Sequence, residues 1–115
     1  MHEYSLVASL LEQVQAEVDA RGASIVQRLC VDIGELAGVE RDLFLLAFDS
    51  FKLGTVCESA ELSIHPVGAQ WRCRRCERDI EAGAILRCPS CGAPAKLVSG
   101  DEIILSKIEM EVPDV

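Results

Sequence analysis

The sequence predicts an α+β fold: a three-stranded sheet covered by two helices, with a cysteine-bearing loop domain inserted between the last two strands. Three observations predict it. Apolar residues recur at helical spacing in two stretches, three other segments have the apolar content or alternation of strands, and four of the six cysteines crowd between Cys73 and Cys91. With 50% apolar and 26% charged residues among 115, the composition is that of an ordinary globular chain. A chain of this size buries roughly two thirds of its unfolded surface. Aromatics make up only 4%, so the core must come from Leu, Ile, Val and Ala.

In the first stretch Leu6, Val7, Leu10, Leu11, Val14 and Val18 share one side of a helix and leave Glu12, Gln15 and Asp19 on the other. Ser5 is placed to cap that helix and Gly22 to end it. Val26, Leu29, Val31 and Ile33 form a strand whose second half alternates with Arg28, Cys30 and Asp32, and Gly34 to Gly38 is a turn region. A second helix runs from Glu40 to Leu53, with acidic residues in its first turn and Gly54 just beyond it. Leu43, Phe44, Leu46, Ala47, Phe48 and Phe51 give it a broad apolar face that should be well buried. Ala60 to Pro66 alternates Leu62 and Ile64 with Glu61, Ser63 and His65, a half-exposed strand. The last strand, Glu102 to Val112, sets Ile104, Ile108 and Met110 against Lys107, Glu109 and Glu111. The implied organisation is an α/β domain of residues 1–66 plus 101–115, with residues 67–100 as an inserted zinc-binding domain.

The net charge of −8 is unevenly spread. Between Arg72 and Lys96 stand six basic and three acidic residues, leaving five basic and sixteen acidic residues elsewhere. An acidic body of this kind repels phosphate backbones, and one mildly basic loop is weak compensation, so nucleic acid is not an expected partner. No basic stretch leads into an apolar one at the amino terminus, and the longest apolar run, Leu43 to Phe48, is far short of a membrane span. The expectation is a cytoplasmic protein with no membrane partner. In that reducing compartment the cysteines point to metal ligation or buried thiols rather than disulfides.

The pairs are Cys73-Arg-Arg-Cys76 and Cys88-Pro-Ser-Cys91-Gly92, separated by eleven residues. Two cysteines three apart on a tight turn can both place sulfur about 2.3 Å from one ion, and two such knuckles complete a tetrahedral four-sulfur shell that suits Zn(II). A redox dithiol needs only one pair, and an iron centre of the rubredoxin sort is the other metal reading. Because four protein ligands fill the shell, no position remains for an activated water, and the site is structural. Gly92 suits the positive φ such a turn needs. The other two thiols, Cys30 and Cys57, read as buried small hydrophobes. Trp71 reads as a packing residue at the base of the loop.

Met1-His2-Glu3 is a weak motif whose chemistry is specific. The α-amine of Met1 has a reference pKa of about 8. With the backbone amide and imidazole of His2 it can chelate one ion through adjacent small rings, and the backbone nitrogen of Glu3 can supply a fourth donor. Nitrogen donors in a plane suit Ni(II) or Cu(II) rather than tetrahedral Zn(II). Such a site is exposed, assembled from a flexible chain end, and open to competition by protons.

The opening Met1-His2-Glu3-Tyr4-Ser5-Leu6, the segment Val31 to Val39, the twin Cys-x-x-Cys pairs and the closing Ile108-Glu-Met-Glu111 together resemble the HypA/HybF family of nickel metallochaperones for [NiFe]-hydrogenase maturation. The resemblance runs essentially the whole length, and Tyr4 falls where that family varies. It implies a non-enzymatic carrier with Ni(II) as cargo at His2, the Met1 amine and neighbouring backbone nitrogens, and structural Zn(II) on Cys73, Cys76, Cys88 and Cys91. It also implies the GTPase HypB and the hydrogenase large subunit as partners, with urease maturation as a further client in some organisms. His65 matches no ligand of the family and reads as a strand-edge residue. The main alternative is a zinc-ribbon adaptor that binds nucleic acid or a transcription complex through the basic loop. A thiol oxidoreductase or zinc hydrolase lacks an open metal position and an evident acid–base pair.

Overall fold

A computed structural model of the chain describes residues 2–81 and 85–113. The chain divides into two compact units: Met1–Asp32, Val39–His65 and Ile104–Val115 in one, Ile33–Gly38 and Pro66–Ile103 in the other. The architecture is the expected one of two helices and a three-stranded sheet, joined by a second small sheet around the cysteines.

In the first unit helix α1 spans His2–Arg21 and buries Val7, Leu10, Val14 and Val18, a stripe of helical period. It begins three residues before the expected cap, so Ser5 lies inside the first turns. It stops as expected at Gly22, whose φ of 62° reverses the chain while the Ala23 N–H donates to the Val18 carbonyl at 3.1 Å. Helix α2 spans Arg41–Phe51 and buries Phe44, Ala47 and Phe48. The broad buried face expected of α2 is narrower in fact: Leu43, Leu46 and Phe51 are exposed, Leu46 at 55%. One helix face turned to a core covers little more than about 100° of arc, and Leu43 and Leu46 fall outside it. The helices are tied at Tyr4, whose ring meets the edge of Phe51 at 5.3 Å.

Strand β1 (Ile25–Gly34) lies between β2 (Glu61–Val67) and β6 (Ile103–Glu111) in the order β2-β1-β6. Val26, Leu29 and Val31 are buried, with Gln27 and Arg28 both exposed between the first two. The two consecutive exposed residues interrupt the strict in–out alternation of the strand. Arg28 on the polar face reaches Glu61 of β2 at 3.1 Å and Glu109 of β6 at 3.7 Å, an ion pair to each neighbouring strand. Of the apolar row expected on the last strand, Ile108 and Met110 are half-buried but Ile104 is 47% exposed. Strand β6 ends the sheet, and nothing among the described residues covers that side chain.

In the second unit strands β3 (Gln70–Cys73), β4 (Asp79–Ile80) and β5 (Ala95–Ser99) form an antiparallel sheet in the order β4-β3-β5. Its buried cluster is only Cys73, Ile80, Cys88 and Ala93, with Trp71 and Ala95 packed against it. Trp71 thus has the packing role expected.

The turn region at Gly34 is held from two sides within this unit. The N–H groups of Gly34, Glu35 and Leu36 donate to the carbonyls of Glu102, Val67 and Gly100 at 2.9, 2.8 and 2.7 Å. The segments leading into and out of the cysteine region are therefore both hydrogen-bonded to the same three residues. A Cβ on Gly34 overlaps the Gly100 carbonyl, and one on Gly100 lies 2.6 Å from the Ala69 Cα, so backbone passes backbone with no room for a side chain. Gly34→Ala should cost more than about 3 kcal/mol, since backbone rather than a flexible side chain must give way. Gly38→Ala, with φ of 72° but open space around it, should cost only about 1–2 kcal/mol. Equilibrium denaturation of the two variants checks this, and equal losses contradict it.

Candidate metal centre

The two Cys-x-x-Cys segments fold into matching knuckles. In the first, the Cys73 N–H donates to the Arg78 carbonyl at 2.8 Å and the Glu77 N–H to the Cys73 carbonyl at 3.2 Å. In the second, the Cys88 N–H donates to the Ala93 carbonyl and the Gly92 N–H to the Cys88 carbonyl, both at 2.9 Å. The residue after each second cysteine takes positive φ: 73° at Gly92, as its identity led us to expect, and 55° at Glu77. Glu77 is the one non-glycine among the described residues in that conformation. Its strain follows from the turn that brings Cys76 back towards Cys73.

These turns aim backbone N–H groups at sulfur. The Arg75 and Cys76 amides lie 3.3 and 3.4 Å from the Cys73 Sγ. They hold that thiol well below its ordinary range, to about 6, the Cys76 amide contributing most. The Cys91 and Ser90 amides lower Cys88 in the same way. Cys76 is pushed up to about 12, chiefly by the neighbouring thiols of Cys73 and Cys88. Sulfurs this close cannot all ionise unless a cation offsets their repulsion.

The ligand atoms of Cys73, Cys76, Cys88 and Cys91 all lie within 4.8 Å of one another. Cys73–Cys91 and Cys76–Cys88 are 3.4 Å apart and Cys76–Cys91 3.8 Å, far longer than a covalent S–S bond of about 2.05 Å. A regular tetrahedron with bonds of about 2.3 Å has edges of about 3.8 Å. The donor set and spacing therefore fit a soft, tetrahedral cation such as Zn(II). Cys73 and Cys88 are buried while Cys76 and Cys91 are exposed. Arg78 of the first knuckle donates to the Ser90 hydroxyl of the second at 2.8 Å, and Arg87 to the Gly92 carbonyl at 3.0 Å.

His2, the first residue of α1, lies in the other unit with its side chain 58% exposed. Its place in a helical turn differs from the loose end expected. Its Nδ1 is 3.8 Å from the Glu3 carboxylate, which also accepts the Glu40 N–H at 3.3 Å. Glu40 precedes α2 and makes no side-chain cap of its own. The Glu3 carboxyl is held below its usual range first by its own backbone N–H, then by that of Glu40 and by His2. Sequence alone gives Glu3 only a backbone nitrogen as donor; the contacts of its side chain emerge from the structure. The α-amine of Met1 lies outside the described residues. Of the remaining thiols Cys57 is buried, and burial pushes it up. Cys30 is half-buried rather than buried, because it sits on the polar face of β1. His65 is exposed on end strand β2.

An α+β fold carrying four clustered cysteines on paired knuckles defines a metal-binding protein rather than a catalyst, since four protein sulfurs complete a tetrahedral shell. Residues 1–110 match the model of the HypA family, described as hydrogenase/urease nickel incorporation metallochaperones. The chain is 37% identical to the hydrogenase maturation factor HypA of Aquifex aeolicus over 114 residues, which is 97% of this chain and 99% of that one. It is 39% identical to that of Wolinella succinogenes over 120 residues, covering 99% and 98%. The solution structure of the nickel metallochaperone HypA from Helicobacter pylori is similar, with a TM-score of 0.75, 28% identity and coverage of 96% and 98%. A second solution structure of a HypA protein matches with a TM-score of 0.82, 29% identity and coverage of 98% of each chain. The chain belongs to the HypA family of hydrogenase maturation metallochaperones. No helix among the described residues is long and apolar enough to cross a membrane.

The two knuckles respond to opposite substitutions. Gly92→Ala should cost about 1–2 kcal/mol because an L side chain is strained at its φ. Glu77→Gly should be stabilising or neutral, gaining up to about 1 kcal/mol after the entropy that glycine adds to the unfolded chain. Thermal unfolding of both metal-loaded variants checks the pair, and a loss on Glu77→Gly contradicts the strain.

Proposed function

We propose that this chain carries Ni(II) at the start of α1 and delivers it during maturation of [NiFe]-hydrogenase, while Zn(II) stays in the four-cysteine centre. The carrying observation is that His2, in a chain of this family, stands exposed on the first residue of α1 with a carboxylate beside its imidazole. The His2 imidazole, the backbone nitrogens of His2 and Glu3, and the α-amine of Met1 are the ligands. The first four N–H groups of a helix have no carbonyl one turn earlier to receive them. Giving up the His2 or Glu3 amide proton to a metal therefore breaks no helical hydrogen bond.

Electrostatics at this end sets how firmly the cargo is held. A helix amino terminus carries about half a positive charge, which opposes a cation. The ionised Glu3 carboxylate offsets it, and protons compete for the amine and imidazole. An exposed seat with this balance suits transfer. The four-sulfur shell supplies the contrast: zinc there joins the two knuckles and takes no part in the exchange. The receiving proteins in this reading are the GTPase HypB and the hydrogenase large subunit, with urease maturation as a further client, all in the cytoplasm.

His2→Ala should abolish specific nickel binding in equilibrium titration while the zinc content stays at one per chain. An extension fused ahead of Met1 should weaken binding by removing the free amine. Cys73→Ser should lose zinc but leave nickel binding measurable, because the helices of the first unit are built on their own core. Nickel affinity unchanged in His2→Ala refutes the assignment of the seat.

A further inference from the structure

Each exposed sulfur of the four-cysteine centre stands against a buried sulfur of the other knuckle. Cys76 and Cys91 are exposed, whereas Cys73 and Cys88 are only 0% and 3% exposed. The Cys76 Sγ lies 3.4 Å from that of Cys88, and the Cys91 Sγ 3.4 Å from that of Cys73. The two exposed sulfurs are farther from each other, at 3.8 Å. A sulfur open to solvent beside one that is not suits a thiol that takes up an oxidant and a thiol that resolves it. Metal ligation supplies the reactive thiolate form at every position.

Pairs across the knuckles also enclose more chain than pairs within one. Cys76 and Cys88 are 12 positions apart and Cys73 and Cys91 are 18, against three inside each knuckle. A cross-link that closes a longer loop removes more freedom from the unfolded chain. Crossed disulfides therefore join the same two turns that a cation joins, in a unit whose buried cluster is only Cys73, Ile80, Cys88 and Ala93. The remaining thiols, Cys30 and Cys57, both belong to the first unit and stand outside this cluster.

Building on the Zn(II) reading of this centre, we propose that Cys76 and Cys91 are oxidation sites for a peroxide. On oxidation the centre exchanges its cation for the disulfides Cys76–Cys88 and Cys73–Cys91. The Cys76 thiolate attacks one oxygen of hydrogen peroxide, the O–O bond breaks, and the departing hydroxide takes a proton from solvent. The Cys88 thiolate then displaces hydroxide from the resulting sulfenic acid, forming the S–S bond, and that hydroxide is protonated in turn. Cys91 and Cys73 repeat both steps. Four thiolates thus lose four electrons, while two peroxides and four protons become four waters. No thiolate remains to hold Zn(II), which leaves as the dication.

Titration of untagged, zinc-loaded protein with hydrogen peroxide tests it, with free Zn(II) read by a colorimetric chelator and the pairs mapped by mass spectrometry of unreduced peptides. Each chain should release its zinc for about two peroxides and show the pairs Cys76–Cys88 and Cys73–Cys91. Dimedone present during oxidation should label Cys76 or Cys91. The double variant Cys30→Ser with Cys57→Ser should release zinc at a rate within about twofold of wild type. Compared with protein stripped of zinc and kept reduced, the oxidised form should exchange amide protons about tenfold or more slowly across residues 86–99. A dithiol reductant with added Zn(II) should restore the starting mass and metal content. Zinc retained in excess peroxide, pairs within a knuckle or through Cys30 or Cys57, dimedone on Cys73 or Cys88, or exchange no slower than in the stripped protein overturns the proposal and leaves the zinc reading standing. A chain that takes up no zinc beforehand overturns that reading, and the oxidation proposal with it.

Discussion

Four sulfur atoms within 4.8 Å of one another are the constraint on which the second unit depends. Its buried cluster is Cys73, Ile80, Cys88 and Ala93. Even a fully buried Val, Leu or Ile side chain contributes only about 1.5–3 kcal/mol, while ordering backbone costs about 1–2 kcal/mol per residue. Apolar burial on this scale cannot offset the ordering of the knuckles and three short strands. A structural Zn(II) site contributes on the order of 10–16 kcal/mol in small metal-folded peptides, the size of term that can. The N–H groups aimed at Cys73 and Cys88 favour thiolate at two positions, and a divalent cation makes thiolate favourable at all four.

The two metal seats differ in every property that governs exchange. The cysteine site is soft, tetrahedral and closed by four protein ligands from two turns that lock each other through Arg78 and Ser90. The seat proposed at His2 is built of nitrogen, lies at an exposed helix start and is supported by a carboxylate that also holds the N–H ahead of α2. A soft cage of four sulfurs discriminates against a cation that prefers planar nitrogen, and the amino-terminal seat discriminates against one that prefers tetrahedral sulfur. On the proposed reading, ligand type and geometry separate cargo from scaffold within one small chain.

Much of this was legible from residues alone, and the exceptions have physical causes. α1 was readable because more than three turns of apolar residues, Leu6 to Val18, keep one helical spacing, and Gly22 marks its end. The metal centre was readable because two Cys-x-x-Cys pairs constrain sulfur positions more tightly than any propensity does. Glu77 was not, since a glutamate does not advertise positive φ; only its equivalence to Gly92, one residue after a second cysteine, carries the signal. The strands of the small sheet are two to five residues long, too short for alternation to register. With apolar residues at most positions between Leu43 and Phe51, α2 does not declare which of them face the core. The approach of Gly34 to Gly100 joins residues far apart in the chain, and neither glycine is distinguishable beforehand from one in an ordinary turn.

The division of labour between the two seats is tested most directly by native mass spectrometry of untagged protein, before and after Ni(II) is added and then partly removed with a mild chelator. The account predicts one zinc per chain throughout, with one nickel that appears on addition and leaves first. Nickel that displaces zinc, or a chain that gains no nickel while its zinc is retained, contradicts it.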